Sequence, residues 1–133
     1  MKCHIHTYRD VNHLKFFLST SEIQSEARES KSILVQIFSS QNNEMLLKKI
    51  INTVQTRLPG AVIVGSTTVG EIAEGRLQLG SIVISVTLFQ KTQLHAVMKS
   101  CSQSNEKRAG KALMREIRKS GSNIAGVLLL ATP

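Results

Sequence analysis

Two apolar segments on either side of an amphipathic stretch constrain the fold of this chain more than any other feature. Residues 33–40 (ILVQIFSS) have the length and β-branched content of a strand, and residues 61–64 (AVIV) are equally apolar. Residues 44–58 repeat apolar side chains at helical spacing, and Pro59-Gly60 is a typical helix end. The order strand, helix, strand predicts two adjacent parallel strands joined by a crossover helix. The inner stripe of this helix is expected to contain Met45, Leu46, Ile50, Ile51, Val54 and Leu58.

The N-terminal segment adds a short strand and at least one helix to this prediction. Residues 3–8 alternate as in a strand, and Asp10 stands where the N-cap of a following helix is expected. The polar segment 20–32 suits either a solvent-facing helix or a loop, with Ile23 and Ala27 as its candidates for an inner face. Both interpretations of that segment stay open.

The C-terminal half predicts further strands and a second long helix. Residues 82–90 and 92–100 each alternate apolar and polar side chains, which indicates an antiparallel hairpin. Residues 105–119 predict a basic amphipathic helix, and the apolar run 124–133 is typical of a central strand. We therefore predict an α/β fold, with α+β as the alternative. It has a mixed β-sheet of about five strands with helices packed on it, and it contains one βαβ unit and one antiparallel hairpin.

The length and composition of the chain point to one soluble domain. At 133 residues it is long enough to bury an aliphatic core, and its apolar fraction of 41% is ordinary for a globular protein. Cys3 and Cys101 are too few for a disulfide framework, and the segment after Met1 lacks the apolar run of a signal peptide. No stretch approaches the length of a membrane span. These features predict a cytoplasmic protein with reduced thiols.

Positive charge is concentrated in one segment. The net charge is +8, and residues 91–119 contain eight basic and two acidic residues. A basic helix can lie along nucleic-acid phosphates, but this one has no aromatic side chains for base stacking and no recognisable helix-turn-helix. We expect a solvated surface, or one that meets acidic parts of the rest of the protein, and nucleic acid is not the expected partner. A basic nucleic-acid-binding or protein-docking α/β module is the alternative function.

Residues 65–80 carry the candidate ligand site, because they leave the carboxyl end of a predicted parallel strand, where open α/β sheets place their ligands. Their lack of a clear period predicts a long loop. The glycines allow positive φ and close approach of the backbone, and the hydroxyls can hold a carboxylate. Glu71 can meet an ammonium group in the same cavity, and an amino acid has both of these ends. The candidate ligand-binding residues are Gly65, Ser66, Thr67, Thr68, Gly70 and Glu71.

Two other interpretations of this segment compete with ligand binding. The spacing G-x-x-x-x-G also begins a phosphate-binding P-loop, but Glu71 and Ile72 stand where that loop has lysine and then serine or threonine. An anion at this position repels phosphate, so nucleotide hydrolysis is not expected. The second competitor is a glycine-rich turn that binds nothing, and spacing alone favours it.

A family resemblance shifts the balance towards ligand binding. The strand ILVQIFSS, the long helix, the stretch LPGAVIVGSTTVGEI at 58–72 and a glycine before the next apolar strand resemble the FIST N-terminal domain over roughly residues 30–133. Residues 1–29 have no counterpart in the family and are treated as an N-terminal extension of open role. The positions that match the family's motif are Gly65, Ser66, Thr67, Gly70 and Glu71.

The resemblance implies a non-catalytic sensory domain of a bacterial signal-transduction protein. Members of the family sense small ligands such as amino acids and are joined to cyclic-di-GMP, histidine-kinase or chemotaxis-type output modules. Because the sequence ends directly after an apolar run, we expect residues 1–133 to be a single domain or the N-terminal portion of a larger sensory domain. The expected partners are a small ligand, the C-terminal remainder of the sensor and a downstream output module.

No metal, cofactor or catalytic set is predicted. Cys3, His4 and His6 offer metal ligands close together, but a closed zinc site needs about four ligands, and His13 is the sole nearby addition. His95 lacks a recognisable serine or cysteine nucleophile beside it. These side chains are therefore expected to be ordinary strand and surface residues.

Overall fold

A computed structural model of the chain describes residues 1–73, 75–102, 104–121 and 123–130. They fall into two units, one formed by residues 1–94 with Leu130 and the other by residues 95–129. The strands, all in the first unit, are β1 (Lys2–Thr7), β2 (Ser32–Ser39), β3 (Val62–Thr67), β4 (Glu71–Ala73), β5 (Arg76–Gln78) and β6 (Ile82–Phe89). The helices are α1 (Val11–Leu18), α2 (Ser21–Glu29) and α3 (Glu44–Arg57) in the first unit and α4 (Glu106–Lys119) in the second.

The main sheet of the first unit has the strand order β1-β6-β2-β3. β2 and β3 are parallel, with Leu34 opposite Val62 and Ser39 opposite Thr67, and α3 connects them. β6 runs antiparallel to both of its neighbours, β1 and β2. The predicted α/β class and the predicted βαβ unit are confirmed, and the main sheet has four strands among the described residues.

The hydrophobic core lies on one face of this sheet. Burial alternates along β2, so that Ile33, Val35 and Ile37 face inward while their neighbours are half-buried on the other face. Helices α1, α2 and α3 pack on the inward face, where each fully buried aliphatic side chain contributes about 1.5–3 kcal/mol to folding. The core is completed by Leu14, Leu18, Ile23, Ile50, Val54, Leu58, Ile82, Ile84, Val86 and Leu88.

Polar side chains cap the starts of α1 and α3, and the cap of α1 is the predicted Asp10. The Asp10 side chain accepts a hydrogen bond from the backbone N–H of His13 (2.9 Å) and begins α1. The Asn43 side chain accepts one from the N–H of Leu46 (3.0 Å) and begins α3. After α3, Gly60 takes a positive φ of 82°, as is common just past a helix end.

Two details of the helices go beyond the sequence patterns or differ from them. The segment left open between helix and loop is α2, whose Ile23 is buried and whose Ala27 packs against the core. Met45 was expected in the inner stripe of α3, but it is 83% exposed. Counting back one helical turn from the buried Ile50 leads to Leu46 and Leu47, so Met45 falls on the solvent side.

The predicted hairpin of residues 82–90 with 92–100 is wrong in its second half. Residues 82–89 form β6, whereas residues 93–100 have no strand structure. Both edges of β6 are already paired, one with β1 and the other with β2, so that a hairpin partner finds no free edge. The antiparallel hairpin of this fold is instead β4–β5, in which Ile72 stands opposite Leu77.

Two further segments differ from expectation. The predicted loop at 65–80 contains the last residues of β3 and the β4–β5 hairpin, whose turn uses the positive φ of Gly75 (73°). The predicted central strand at 124–133 is not formed by residues 124–130, which are exposed and irregular, and residues 131–133 lie outside the described ranges. The predicted basic helix is confirmed as α4, whose apolar stripe is half-buried.

A histidine is buried at the edge of the core. His6 of β1 is only 7% exposed, and its ring stacks against the rings of Phe17 (centroids 4.5 Å apart) and His13 (5.1 Å). The Nε2 atom of His6 has no hydrogen-bond partner in the described structure. Burial lowers the pKa of His6, and the nearby charges of His13 and Arg9 lower it further.

We expect the His6→Leu variant to lose part of the acid sensitivity of the wild-type fold. Because the pKa of His6 is lower in the folded chain than its ordinary value of 6.5, the unfolded chain binds the proton more readily. The stability that the neutral ring contributes is complete above about pH 6.5 and is lost as the pH falls from there through the folded pKa. Urea unfolding between pH 7.5 and pH 5 measures how the free energy of unfolding of each variant depends on pH. The exposed His95→Gln variant is the control, and an unchanged pH dependence in His6→Leu would contradict this expectation.

Candidate ligand-binding site

The candidate site lies where β2 and β3 end side by side. Because the two strands are parallel and Ser39 stands opposite Thr67, their carboxyl ends meet at one edge of the sheet. Beyond the strand ends, the N–H of Thr68 donates to the carbonyl of Ser39 (2.9 Å), and the N–H of Ser40 donates to the carbonyl of Ser81 (3.1 Å). These bonds join three chain segments that are far apart in sequence and rich in hydroxyl groups.

The carboxylate of Glu71 is held at the centre of this edge. Glu71 is the first residue of β4 and is 4% exposed. Its Oε1 accepts a hydrogen bond from Thr68 Oγ1, and its Oε2 accepts hydrogen bonds from Ser81 Oγ and from Ser40 Oγ (3.3 Å). We call this arrangement of Ser40, Thr68 and Ser81 around Glu71 the Glu71 cage.

The Glu71 cage keeps a buried negative charge. Burial raises the pKa of Glu71, but the hydrogen bonds from Ser81, Thr68 and Ser40 together outweigh it, so the pKa lies below its ordinary value. The carboxylate is therefore ionised at neutral pH. The ion pairs found in the described ranges use Glu26, Glu44 and Glu116, and none of them uses Glu71. Among the described residues, three hydroxyl groups and the backbone N–H of Glu71 itself offset this buried charge.

Packing against backbone explains Gly65, whereas the shortest contact at Gly70 is with the flexible end of the exposed Leu79 side chain. A Cβ at position 65 would lie 2.2 Å from the carbonyl oxygen of Ile37, so β3 can approach β2 this closely only with glycine there. A Cβ at position 70 would lie 2.8 Å from Leu79 Cδ2. Neither glycine has the positive φ that the sequence suggested, which occurs at Gly60, Gly75, Gly80 and Gly121 instead.

The remaining predicted residues divide into two groups. Thr68 and Glu71 are brought together by the Glu71 cage. Ser66 and Thr67 are consecutive residues of β3, so their side chains point to opposite faces of the sheet. Ser66 Oγ donates to the carbonyl of Thr67 (3.0 Å), and Thr67 is exposed. The expected single cavity of Ser66, Thr67 and Glu71 is thus not what the strand geometry produces.

Sequence reasoning missed Ser40 and Ser81. Ser40 is 31 residues before Glu71 and Ser81 is 10 residues after it, so that no local motif links the three. Their one signal in the sequence is position, because Ser40 ends one predicted strand and Ser81 directly precedes another. Only the pairing of β2 with β6 brings those two strand ends to the same edge.

The fold and the Glu71 cage define an α/β protein with a polar site at the carboxyl ends of adjacent parallel strands. Residues 33–133 match the FIST N domain family, so the chain belongs to that family, whose members are sensory domains of signalling proteins. No curated protein sequence and no solved structure matches the chain. None of the helices in the described ranges is both long and apolar enough to cross a lipid bilayer.

We expect Gly65→Ala to lower the free energy of unfolding by about 1–3 kcal/mol, because the added methyl forces β3 away from the Ile37 carbonyl. Urea unfolding measures the change. Gly110→Ala is the matched control, since a Cβ at that position in α4 meets nothing within 4 Å and removes a helix-interior glycine. Its effect should be neutral or stabilising, and wild-type stability of Gly65→Ala would contradict the packing argument.

Proposed function

We propose that the chain is a sensory domain that binds a small ligand carrying an ammonium group, with an amino acid as the leading candidate. The ligand-binding residues in this proposal are Gly65, Ser66, Thr67, Thr68, Gly70 and Glu71. The observation that carries it is the ionised, buried carboxylate of Glu71, which has hydroxyl donors but no cation among the described side chains. A ligand ammonium group supplies the missing positive charge.

The surroundings of Glu71 suit the other end of an amino acid. Thr67 is exposed at the end of β3, so its hydroxyl can donate to a ligand carboxylate, whereas the Ser66 hydroxyl already donates to the Thr67 carbonyl. In this proposal Thr67 holds the carboxylate of the ligand and Glu71 holds its ammonium group.

Binding in this proposal changes the contacts of the β4–β5 hairpin. Glu71 accepts bonds from Thr68, Ser81 and Ser40, and an ammonium group reaches its carboxylate by taking the place of one donor. Ser40 is the donor that the ammonium group replaces most easily. Its hydrogen bond to Glu71 is long at 3.3 Å, and its hydroxyl can donate to the Ser81 carbonyl at 3.0 Å instead. Loss of that bond removes the direct contact between the first residue of the hairpin and the end of β2. A ligand with such differential contacts shifts a conformational equilibrium.

The β4–β5 hairpin also offers a surface that can contact another part of the protein when the ligand site is occupied. Ile72 and Leu77, which pair across β4 and β5, are exposed large apolar side chains, as are Val69 and Leu79 beside them. Exposed apolar patches mark contact surfaces. In this proposal they meet the C-terminal remainder of a cytoplasmic signalling protein, which connects to an output module.

We propose a binding role without catalysis. Glu71 is the ionisable group of the candidate site, and its lowered pKa makes it a weak base without a proton to donate at neutral pH. The hydroxyls of Thr68 and Ser81 donate hydrogen bonds to the Glu71 carboxylate. A carboxylate with a lowered pKa is too weak a base to activate them as nucleophiles, as a histidine would.

The second candidate, a nucleic-acid-binding or protein-docking module, is favoured by one observation on α4. All six basic residues of this helix are exposed, and Lys119 alone among them pairs with an acid of the described chain, Glu116. A positive surface of this kind binds phosphates or acidic protein surfaces. The exposed basic residues are Lys107, Arg108, Lys111, Arg115, Arg118 and Lys119.

We expect Glu71→Gln to weaken amino-acid binding by about 1.5–3 kcal/mol, the usual range for a hydrogen bond to a charged group. Calorimetric titration with individual amino acids measures it. Because Glu71 is buried in its cage, the same change should also lower the free energy of unfolding by about 1–3 kcal/mol, so urea unfolding must establish the folded fraction first.

The matched control is Glu44→Gln, because Glu44 is an exposed acid at the start of α3. It should change neither binding nor stability appreciably. Wild-type amino-acid affinity in the folded fraction of Glu71→Gln would make Glu71 a purely structural residue. Binding of ATP in place of any amino acid by the wild-type protein would also overturn the proposal.

We expect the triple variant Lys107→Gln, Arg108→Gln, Lys111→Gln to keep wild-type ligand affinity, because its changes lie in a different unit from the Glu71 cage. Fluorescence anisotropy with random DNA and RNA at several salt concentrations provides the second measurement. Protein contacts to phosphates release counterions, so a nucleic-acid binder loses affinity steeply as salt rises. Submicromolar binding with that salt dependence, lost in the triple variant, would favour the second candidate function.

A further inference from the structure

A histidine and two glutamates meet where β1 lies beside α2. His4 Nε2 is 2.8 Å from Glu26 Oε2, and one ligand atom from each of His4, Glu22 and Glu26 lies within 4.8 Å of the other two. The side chains of His4 and Glu26 are mostly shielded, at 19% and 14% exposure. This juxtaposition is distinct from the Glu71 cage and lies within the first 29 residues of the chain.

Local structure explains why these groups converge. Glu22 and Glu26 are four residues apart in α2, so both carboxylates project from one side of the helix. His4 alternates with Cys3 in β1, which turns His4 towards α2 and Cys3 to the opposite face of the strand. Cys3 is exposed there and contacts Ser85 Oγ at 3.4 Å. The sequence predicted no metal site from Cys3, His4 and His6, and strand geometry places Cys3 on the face opposite the two histidines.

We propose that His4, Glu22 and Glu26 form a binding site for a divalent metal ion of the zinc type. The set offers one imidazole nitrogen and two carboxylate oxygens, and borderline ions such as Zn²⁺ accept both kinds of donor. Three protein ligands leave a coordination position for water. The bound ion cross-links β1 to α2.

The geometry needs little adjustment to accept an ion. Zinc binds nitrogen and oxygen ligands at about 2.0–2.2 Å, which places the ligands of a tetrahedral site about 3.3–3.6 Å apart. The three ligand atoms are already within 4.8 Å of one another. Glu22 is exposed, so its side chain can close the remaining gap by changing rotamer.

Lys2 competes with a metal ion for the same carboxylate. It lies on the same side of β1 as His4, and its ammonium group pairs with Glu26 Oε1. Its side chain is 61% exposed, so it can leave for solvent when a doubly charged ion arrives. Removing Lys2 should therefore tighten metal binding, an effect opposite in sign to the removal of a ligand.

The test is a Zn²⁺ titration of the full chain in competition with a chromogenic chelator at pH 7.5. We expect one equivalent of Zn²⁺ to bind. Loss of a partner that only orients a ligand weakens metal sites by about 10–100-fold, so His4→Ala and Glu22→Gln should each weaken binding by about tenfold or more. Lys2→Ala should bind Zn²⁺ more tightly than wild type.

Controls separate this site from ordinary surface binding. Glu44→Gln and His95→Ala remove exposed groups of the same kinds elsewhere and should leave the affinity unchanged. Because Glu22 is exposed, Glu22→Gln should fold as wild type does, which thermal melting without zinc checks. The proposal is overturned if the wild type binds no Zn²⁺, if Glu22→Gln binds it normally, or if Cys3→Ser abolishes binding.

Discussion

The register between β2 and β3 is the constraint on which the rest of the first unit depends. Gly65 stands opposite Ile37, and the space that a side chain at position 65 would need is taken by the Ile37 carbonyl oxygen. This close pairing ends both strands at one edge of the sheet, where the hydroxyl-bearing residues follow. A slip by one residue would also turn the alternating apolar side chains of β2 away from the helices. Core and candidate site therefore rest on the same pairing.

The Glu71 cage is the polar site that forms where these paired strands end. A buried carboxylate without a cation is costly unless hydrogen bonds replace the water that it loses, and each bond to a charged group is worth about 1.5–3 kcal/mol. Ser40 follows β2, Thr68 follows β3 and Ser81 precedes β6, so one charge ties the β4–β5 hairpin to three strand ends. In the proposed function, a ligand that competes for this charge also changes the hydrogen bonds of the hairpin, so the same atoms would couple binding to a change of contacts.

Patterns within a single element were readable from the sequence, whereas pairings between distant elements were not. The βαβ unit was predictable because a strand, a capped helix and a second strand each have their own local signal. The strand alternation at 92–100 looked like a hairpin partner, but β6 already has β1 and β2 as neighbours, and β1 lies about eighty residues earlier in the chain. In the same way, Thr68 and Glu71 share a motif, whereas Ser40 and Ser81 reach the carboxylate only through sheet topology.

The N-terminal segment shows how far such long-range pairing reaches. Residues 1–29 precede the family match at 33–133, yet β1 fills the outer edge of β6, and Leu14, Leu18 and Ile23 are fully buried in the common core. Without these residues, β6 would present an unpaired edge, and the inward face of the sheet would lose α1 and α2, two of the three helices described in the first unit. The segment is therefore part of the structural unit that holds the Glu71 cage. β1 and β3 are the two edge strands of the main sheet. A metal ion that joins β1 to α2 would therefore stabilise the first unit at the edge of the sheet farthest from β3.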